Sequence, residues 1–145
     1  MNKKTQVDAI REVFQFGIGI IFLIGVFYFL YNTLIPQIET YALNLQLENI
    51  AEHVNYIISE LYKSSSQSLV SSTENKYLMP ENVGDYPYFV YLSDEELCSG
   101  IKDLNLEKCT PLLLDSRYQG IFFSGGEIKI IITYTETDSL INIGN

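Results

Sequence analysis

The sequence predicts an α+β protein: a long N-terminal helix, transmembrane and then amphipathic, followed by a small antiparallel β-sheet head. Three observations predict it. Residues Phe14 to Ile35 form a run of 22 in which only Gln15, Asn32 and Thr33 are strongly polar and none is charged. Beyond Pro36 the apolar residues recur at helical spacing as far as Leu61. After Asn75 the chain turns to short runs of β-branched and aromatic residues bounded by Gly, Pro, Asn or Asp, which is the pattern of strands.

Residues 1–13, MNKKTQVDAIREV, read as a basic cytoplasmic tip that enters the helix around Asp8 to Glu12. The apolar run 14–35 would cover roughly 33 Å as a helix, against about 30 Å of bilayer hydrocarbon. A cleaved secretory signal has a shorter apolar core and a small-x-small cleavage site. Here the run continues into Tyr31-Asn32-Thr33-Leu34-Ile35-Pro36 without one, so a retained anchor is expected. Lys3, Lys4 and Arg11 precede the run and the next basic residue is Lys63, which places the N-terminus in the cytoplasm and the body outside. Tyr28 and Tyr31 fall where amphipathic rings favour the membrane interface.

Pro36 lacks an amide donor and is expected to kink or restart the helix. Residues 36–62 then form an amphipathic continuation. Leu43, Leu47, Ile50, Val54, Ile57 and Leu61 are spaced 4, 3, 4, 3 and 4, which puts them on one face. That seam must bury itself, on the chain's own sheet, on another copy, or on both. Together the two stretches predict one helix of about 55 residues from Val7 to Tyr62.

Residues 63–75, rich in Ser, read as a flexible connector. The head, 76–145, should hold strands at Tyr77–Met79, Tyr86–Leu92 and Leu140–Ile143, with a short apolar stretch at Pro111–Leu114. Around Gly125-Gly126 a two-residue primed turn would pair Phe123 with Ile128 and Ile121 with Ile130. Alternation then puts Ile121, Phe123, Ile128, Ile130, Ile132 and Tyr134 on one face, with Lys129, Thr133 and Thr135 on the other.

From residue 37 onward there are 16 acidic and 6 basic side chains, so the part beyond the span is strongly acidic within a total net charge of −9. Nucleic acid is excluded as a partner, because neutralising phosphate needs clustered Lys and Arg. The two cysteines, Cys98 and Cys109, lie close together in the part assigned to an oxidising exterior and read as a disulfide. No cofactor or metal is expected: two thiols and a distant His53 do not complete a metal site. Asp94, Glu95, Glu96, Asp103 and Glu107 could gather calcium but lack any recognised ligand spacing, and they read as a solvated acidic turn. No G-x-S-x-G, GxGxxG or P-loop occurs, nor an N-x-S/T glycosylation acceptor, so no catalytic residue is assigned and the chain is read as a non-enzyme.

A basic tip, Glu12 at the helix start, the apolar run 14–35, a mid-helix Pro36, an amphipathic continuation and a disulfide-bearing β head together resemble a type IV pilin-like protein, most similar to archaeal pilins and archaellum-related subunits. The resemblance covers about the first 62 residues. It implies a structural or accessory subunit of a surface filament, in which apolar helices bundle as a core and heads form the outside. Its partners would be the lipid bilayer and copies of itself or other pilin-like subunits. Prepilin peptidases of that family cut after Gly or Ala following a charged residue; Thr5 stands at that place, and Asp8-Ala9 offers another, so an uncleaved accessory subunit is expected. The other reading is a single-pass anchored module whose extracytoplasmic head binds a cell-envelope protein.

Overall fold

The computed structural model describes residues 3–66, 72–93, 96–114, 116–135 and 138–145. The chain divides into two compact units, Met1–Tyr41 and Ala42–Asn145.

In the first unit α1 runs over Lys3–Phe29. It starts ahead of the entry expected at Asp8 to Glu12, since nothing from Thr5 to Val13 is a Gly or Pro that would stop the helix propagating backward. The helix α2, Ile35–Ser66, begins in this unit. Between the two, Leu30–Leu34 forms a π turn in which the Ile35 amide donates to the Leu30 carbonyl. Pro36 explains it: the ring has no N–H for the ladder and would strike the carbonyl of Asn32 in a regular α-helix, and a wider turn just before it relieves the collision. The irregularity expected at Pro36 therefore lies one turn earlier, as a π turn. Side chains support it on both sides: Asn32 Nδ2 donates to the Tyr28 carbonyl at 3.1 Å and Thr40 Oγ1 to the Pro36 carbonyl at 2.9 Å. The apolar side chains from Val13 to Ile35 are exposed around the helix, which is long and apolar enough to cross a membrane.

The second unit is the part of α2 beyond Tyr41 laid on a seven-stranded sheet. The strands are β1 Ser72–Leu78, β2 Phe89–Ser93, β3 Glu96–Ile101, β4 Leu106–Pro111, β5 Arg117–Phe123, β6 Glu127–Tyr134 and β7 Ser139–Gly144. Their order is β1-β6-β7-β5-β2-β3-β4, antiparallel throughout except for the parallel pair β5–β7.

All six seam residues are buried, and Ala51 and Ile58 join them against the inward face of the sheet. Facing them are Val90 and Leu92 of β2, Leu97 and Ile101 of β3, Phe122 of β5, Ile128, Ile130 and Ile132 of β6, and Ile141 and Ile143 of β7. The self-association role expected for Leu43, Leu47, Ile50, Val54, Ile57 and Leu61 is thus corrected: the chain's own sheet occupies that face, so no second copy is needed to cover it. Polar ties fix the helix on the sheet. Ser99 Oγ donates to the Leu47 carbonyl at 2.8 Å, the Gly84 amide donates to Gln46 Oε1 at 3.1 Å, and Tyr134 Oη donates to the Tyr62 carbonyl at 3.0 Å.

Several expected boundaries move. The connector expected at 63–75 is shorter, because α2 continues to Ser66 and β1 begins at Ser72; residues 67–71 lie outside the described residues. The strand expected at Tyr77–Met79 is the end of a longer β1, STENKYL, which among the described residues pairs with β6 alone and has no fully buried side chain, so its polar first part lacks the apolar run that marks a strand. Residues Tyr86 to Tyr88, expected in a strand, instead leave a turn closed by mutual backbone bonds between Val83 and Tyr86 before β2 starts at Phe89. Pro111 ends β4, and no strand follows at Leu112–Leu114.

The Gly125-Gly126 hairpin is the largest correction. Strands β5 and β6 do not pair, because β7 lies between them. The two ends of the turn bond to different neighbours: the Ser124 amide donates to the Tyr88 carbonyl at 2.9 Å, and the Gly126 carbonyl accepts from the Met79 amide at 3.3 Å. With β2 and β7 setting its register, β5 sends Phe122 inward opposite Val90, and Ile121 and Phe123 go to the outer face. Strand β6 keeps the expected alternation, with Ile128, Ile130 and Ile132 inward and Lys129 outward, where it meets Glu74 at 3.0 Å. The close approach of β7 requires Gly120, at φ +117°, since a Cβ there would sit 2.1 Å from the Ile143 carbonyl oxygen. Asn145 then completes the wedge: its carboxamide accepts from the Phe123 amide and donates to the Phe123 carbonyl, both at 2.9 Å.

Candidate functional site

The outer face of the sheet, away from α2, carries the residues that the core does not use. On β2 and β5 these are the cross-strand pairs Phe89–Phe123 and Tyr91–Ile121. The β3–β4 hairpin supplies the neighbouring wall. Its connection is a 3-10 turn, Lys102–Leu104, closed by Asn105 at φ 51°, a left-handed conformation that Asn accepts more readily than most residues. Cys98 and Cys109, expected as a disulfide, are bonded, and they stand directly opposite on paired strands with Cα atoms 4.0 Å apart.

Between these walls lies a groove of about 390 Å³ lined by Phe89, Ile101, Leu106, Ile121 and Phe123, with Lys102, Asn105 and Glu107 at its polar side. Gly100 makes room for it. A Cβ at this position would stand 2.6 Å from the Phe89 ring, which lies across the glycine. The Phe89 and Tyr91 rings are stacked at 6.0 Å and 26°. Ile121 is 45% and Phe123 57% exposed, so the walls are wet.

The charges at the groove are not equivalent. The Tyr91 hydroxyl donates to Glu107, which occupies that carboxylate. This hydrogen bond raises the Tyr91 pKa, with smaller contributions from burial and from the negative charges of Glu107 and Glu96. Lys102 makes no ion pair among the described residues, leaving a cation as the open charge beside an apolar hollow. Such a surface can hold an apolar group that has an acceptor or a negative charge next to it. Its lining residues include no His, Cys or Ser to act as a nucleophile or base.

A second hollow, about 320 Å³, is polar and lined by Lys76, Gly125, Gly126, Glu127, Lys129 and Asn145. Glu96 stands near the two cysteine sulfurs, but both sulfurs are spent in the disulfide, so the trio is one carboxylate and not a metal centre. Of the acidic residues considered for calcium, Asp94 and Glu95 lie outside the described residues and Glu107 is engaged by Tyr91. His53 is exposed on α2.

The structure thus gathers the six seam residues in the core and joins Cys98 to Cys109 on the outer face, while Pro36 belongs to the other unit. Sequence reasoning missed the groove because it turned Ile121 and Phe123 inward. The chain matches no family model, no characterised protein and no solved structure.

Proposed function

We propose that the protein is a structural or accessory subunit of a type IV pilus-like surface filament, assembling through its N-terminal apolar helix. The observation that supports this most is the division of apolar surface between the two units. The head covers its own seam, whereas the apolar side chains from Val13 to Ile35 are exposed among the described residues. Lipid covers such a helix first, and like helices can take its place, since close packing between helices in a membrane does not depend on water being expelled. The basic residues before the span favour a cytoplasmic N-terminus, and the Cys98–Cys109 disulfide suits a head in an oxidising exterior.

Cross-linking of full-length protein in the membranes of its own cells, with recovery of sheared surface material, tests this reading. Multimers in the membrane and the chain in the sheared filaments are expected. Protein that stays monomeric at high density in the membrane sinks it. The outer-face groove favours a second reading, in which the helix only anchors a head that binds a cell-envelope partner.

A further inference from the structure

We propose that the dithiol form of the head, in which the Cys98–Cys109 bond is open, holds a zinc ion between Cys98, Cys109, Glu96 and Glu107. The inference does not depend on the filament reading.

The same pattern, Glu-x-Cys, occurs on both strands of the β3–β4 hairpin, as Glu96-Leu97-Cys98 and as Glu107-Lys108-Cys109. Alternation along a strand puts each Glu on the face of its own Cys. For β3 that is the outer face, because Leu97 is in the core and Ser99 reaches α2. Cys98 stands directly opposite Cys109, so the β4 pair shares this face. The strands are antiparallel, and the two carboxylates therefore flank the sulfurs from opposite ends, Glu96 across from Pro111 and Glu107 across from Gly100.

The spacing is that of ligands around one ion. A Glu96 carboxylate oxygen and the two sulfurs lie within 4.8 Å of one another, and Glu107 Oε1 is 3.7 Å from Cys109 Sγ. On a tetrahedral zinc, with bonds of about 2.3 Å to sulfur and about 2.0 Å to oxygen, a sulfur and an oxygen stand about 3.5 Å apart and two sulfurs about 3.8 Å. Opening the bond lets the sulfurs reach that separation from paired residues. Tyr91, on the adjacent strand β2, donates to Glu107 and holds its carboxylate on this face, while the remaining lone pairs of that group can take an ion.

The donor set selects the metal. Thiolates do not suit calcium or magnesium, which take oxygen ligands, and carboxylates do not suit copper(I), which takes soft ones. Two of each fit zinc, and with all four positions filled by the protein the ion is structural.

Metal and disulfide exclude each other. When the bond closes, both sulfur–zinc bonds break and a sulfur–sulfur bond forms. Two electrons pass to a disulfide oxidant, which takes up two protons and leaves as two thiols, and zinc is released. Cys98 is buried and Cys109 exposed, so the exchange runs through Cys109, and a bound ion obstructs it.

Full-length protein in detergent is reduced with a phosphine, freed of the reductant without air and titrated with zinc alone. One ion per reduced chain is expected, with none for the oxidised chain or for the Cys98→Ser, Cys109→Ser variant. Glu96→Gln and Glu107→Gln should each weaken binding by at least about tenfold, and Tyr91→Phe by about 10- to 100-fold, as when a group that orients a ligand is lost. Reoxidation by glutathione disulfide should lose rate when zinc is present. Binding unmoved by both carboxylate variants means that the thiols alone take the ion and overturns the site, as does equal uptake by the oxidised chain. Circular dichroism reads the fold of the reduced chain: strands that are lost and not restored by zinc also overturn it.

Discussion

Ser99 donates its hydroxyl to the carbonyl oxygen of Leu47 across 2.8 Å, joining β3 to α2 with no water between them. The two residues predict very different costs. Leu47→Ala opens a cavity under the sheet and should destabilise the head by about 2–5 kcal/mol. Ser99→Ala removes one hydrogen bond from a carbonyl that keeps its own helical partner and should cost about 1 kcal/mol. Urea unfolding of the full chain in detergent measures both.

Adjacent phenylalanines test the register of β5. Phe122→Ala should cost about 3–5 kcal/mol because the ring is wholly buried, while Phe123→Ala, on the outer face, should cost less than about 1 kcal/mol. A reversed order would return β5 to the hairpin register that its sequence suggests.

The disulfide closes a loop with a sequence separation of 11, and its reduction should lower stability by about 3 kcal/mol in the chain-entropy model. Unfolding midpoints of the native chain and of the Cys98→Ala, Cys109→Ala double variant give the difference. Equal midpoints would mean that the β3–β4 ladder alone holds the hairpin.

Tyr88 is buried beside Phe122, and burial pushes its pKa from 10.0 up to about 12. The folded state therefore holds this proton more tightly than the unfolded chain. The resulting stability is fully present below pH 10 and is lost as pH rises toward 12. Tyrosinate absorbance followed together with unfolding should show this loss, and Tyr88→Phe should flatten it. The variant also leaves the Pro80 carbonyl without the donor it has at 3.0 Å, so its stability at neutral pH should be lower.

Much of the architecture is legible in residue order because it depends on local period. The span follows from a run without charge, the seam from Leu43 to Leu61, and the disulfide from two lone cysteines. Strand partners are not legible in the same way. Gly125-Gly126 allows a tight turn but does not require its flanks to pair, and nothing within Ile121–Phe123 reveals that β2 and β7 will set its register. Only the end of β1 was legible, at Tyr77 and Leu78; its first residues, Ser72–Lys76, are polar on an edge strand that buries no side chain fully. The groove depends on the unread β5 register, since it appears only once Phe123 faces outward beside the β3–β4 hairpin, whose turn is held by Asn105.

Strand β7 lies between two strands that precede it in the chain, and this sets an order for making the head. The β2–β3–β4 ladder can form from consecutive segments of the chain, and doing so brings its two cysteines opposite each other. The β1–β6 side and the β5 side have no common edge until β7 arrives. A chain halted after Tyr134 would carry two part-sheets around a vacant slot, with the backbone donors of both β5 and β6 bare, the state in which a strand from a neighbour is most readily taken up. Delivery of β7 before another strand reaches that slot is therefore a requirement for completing this head.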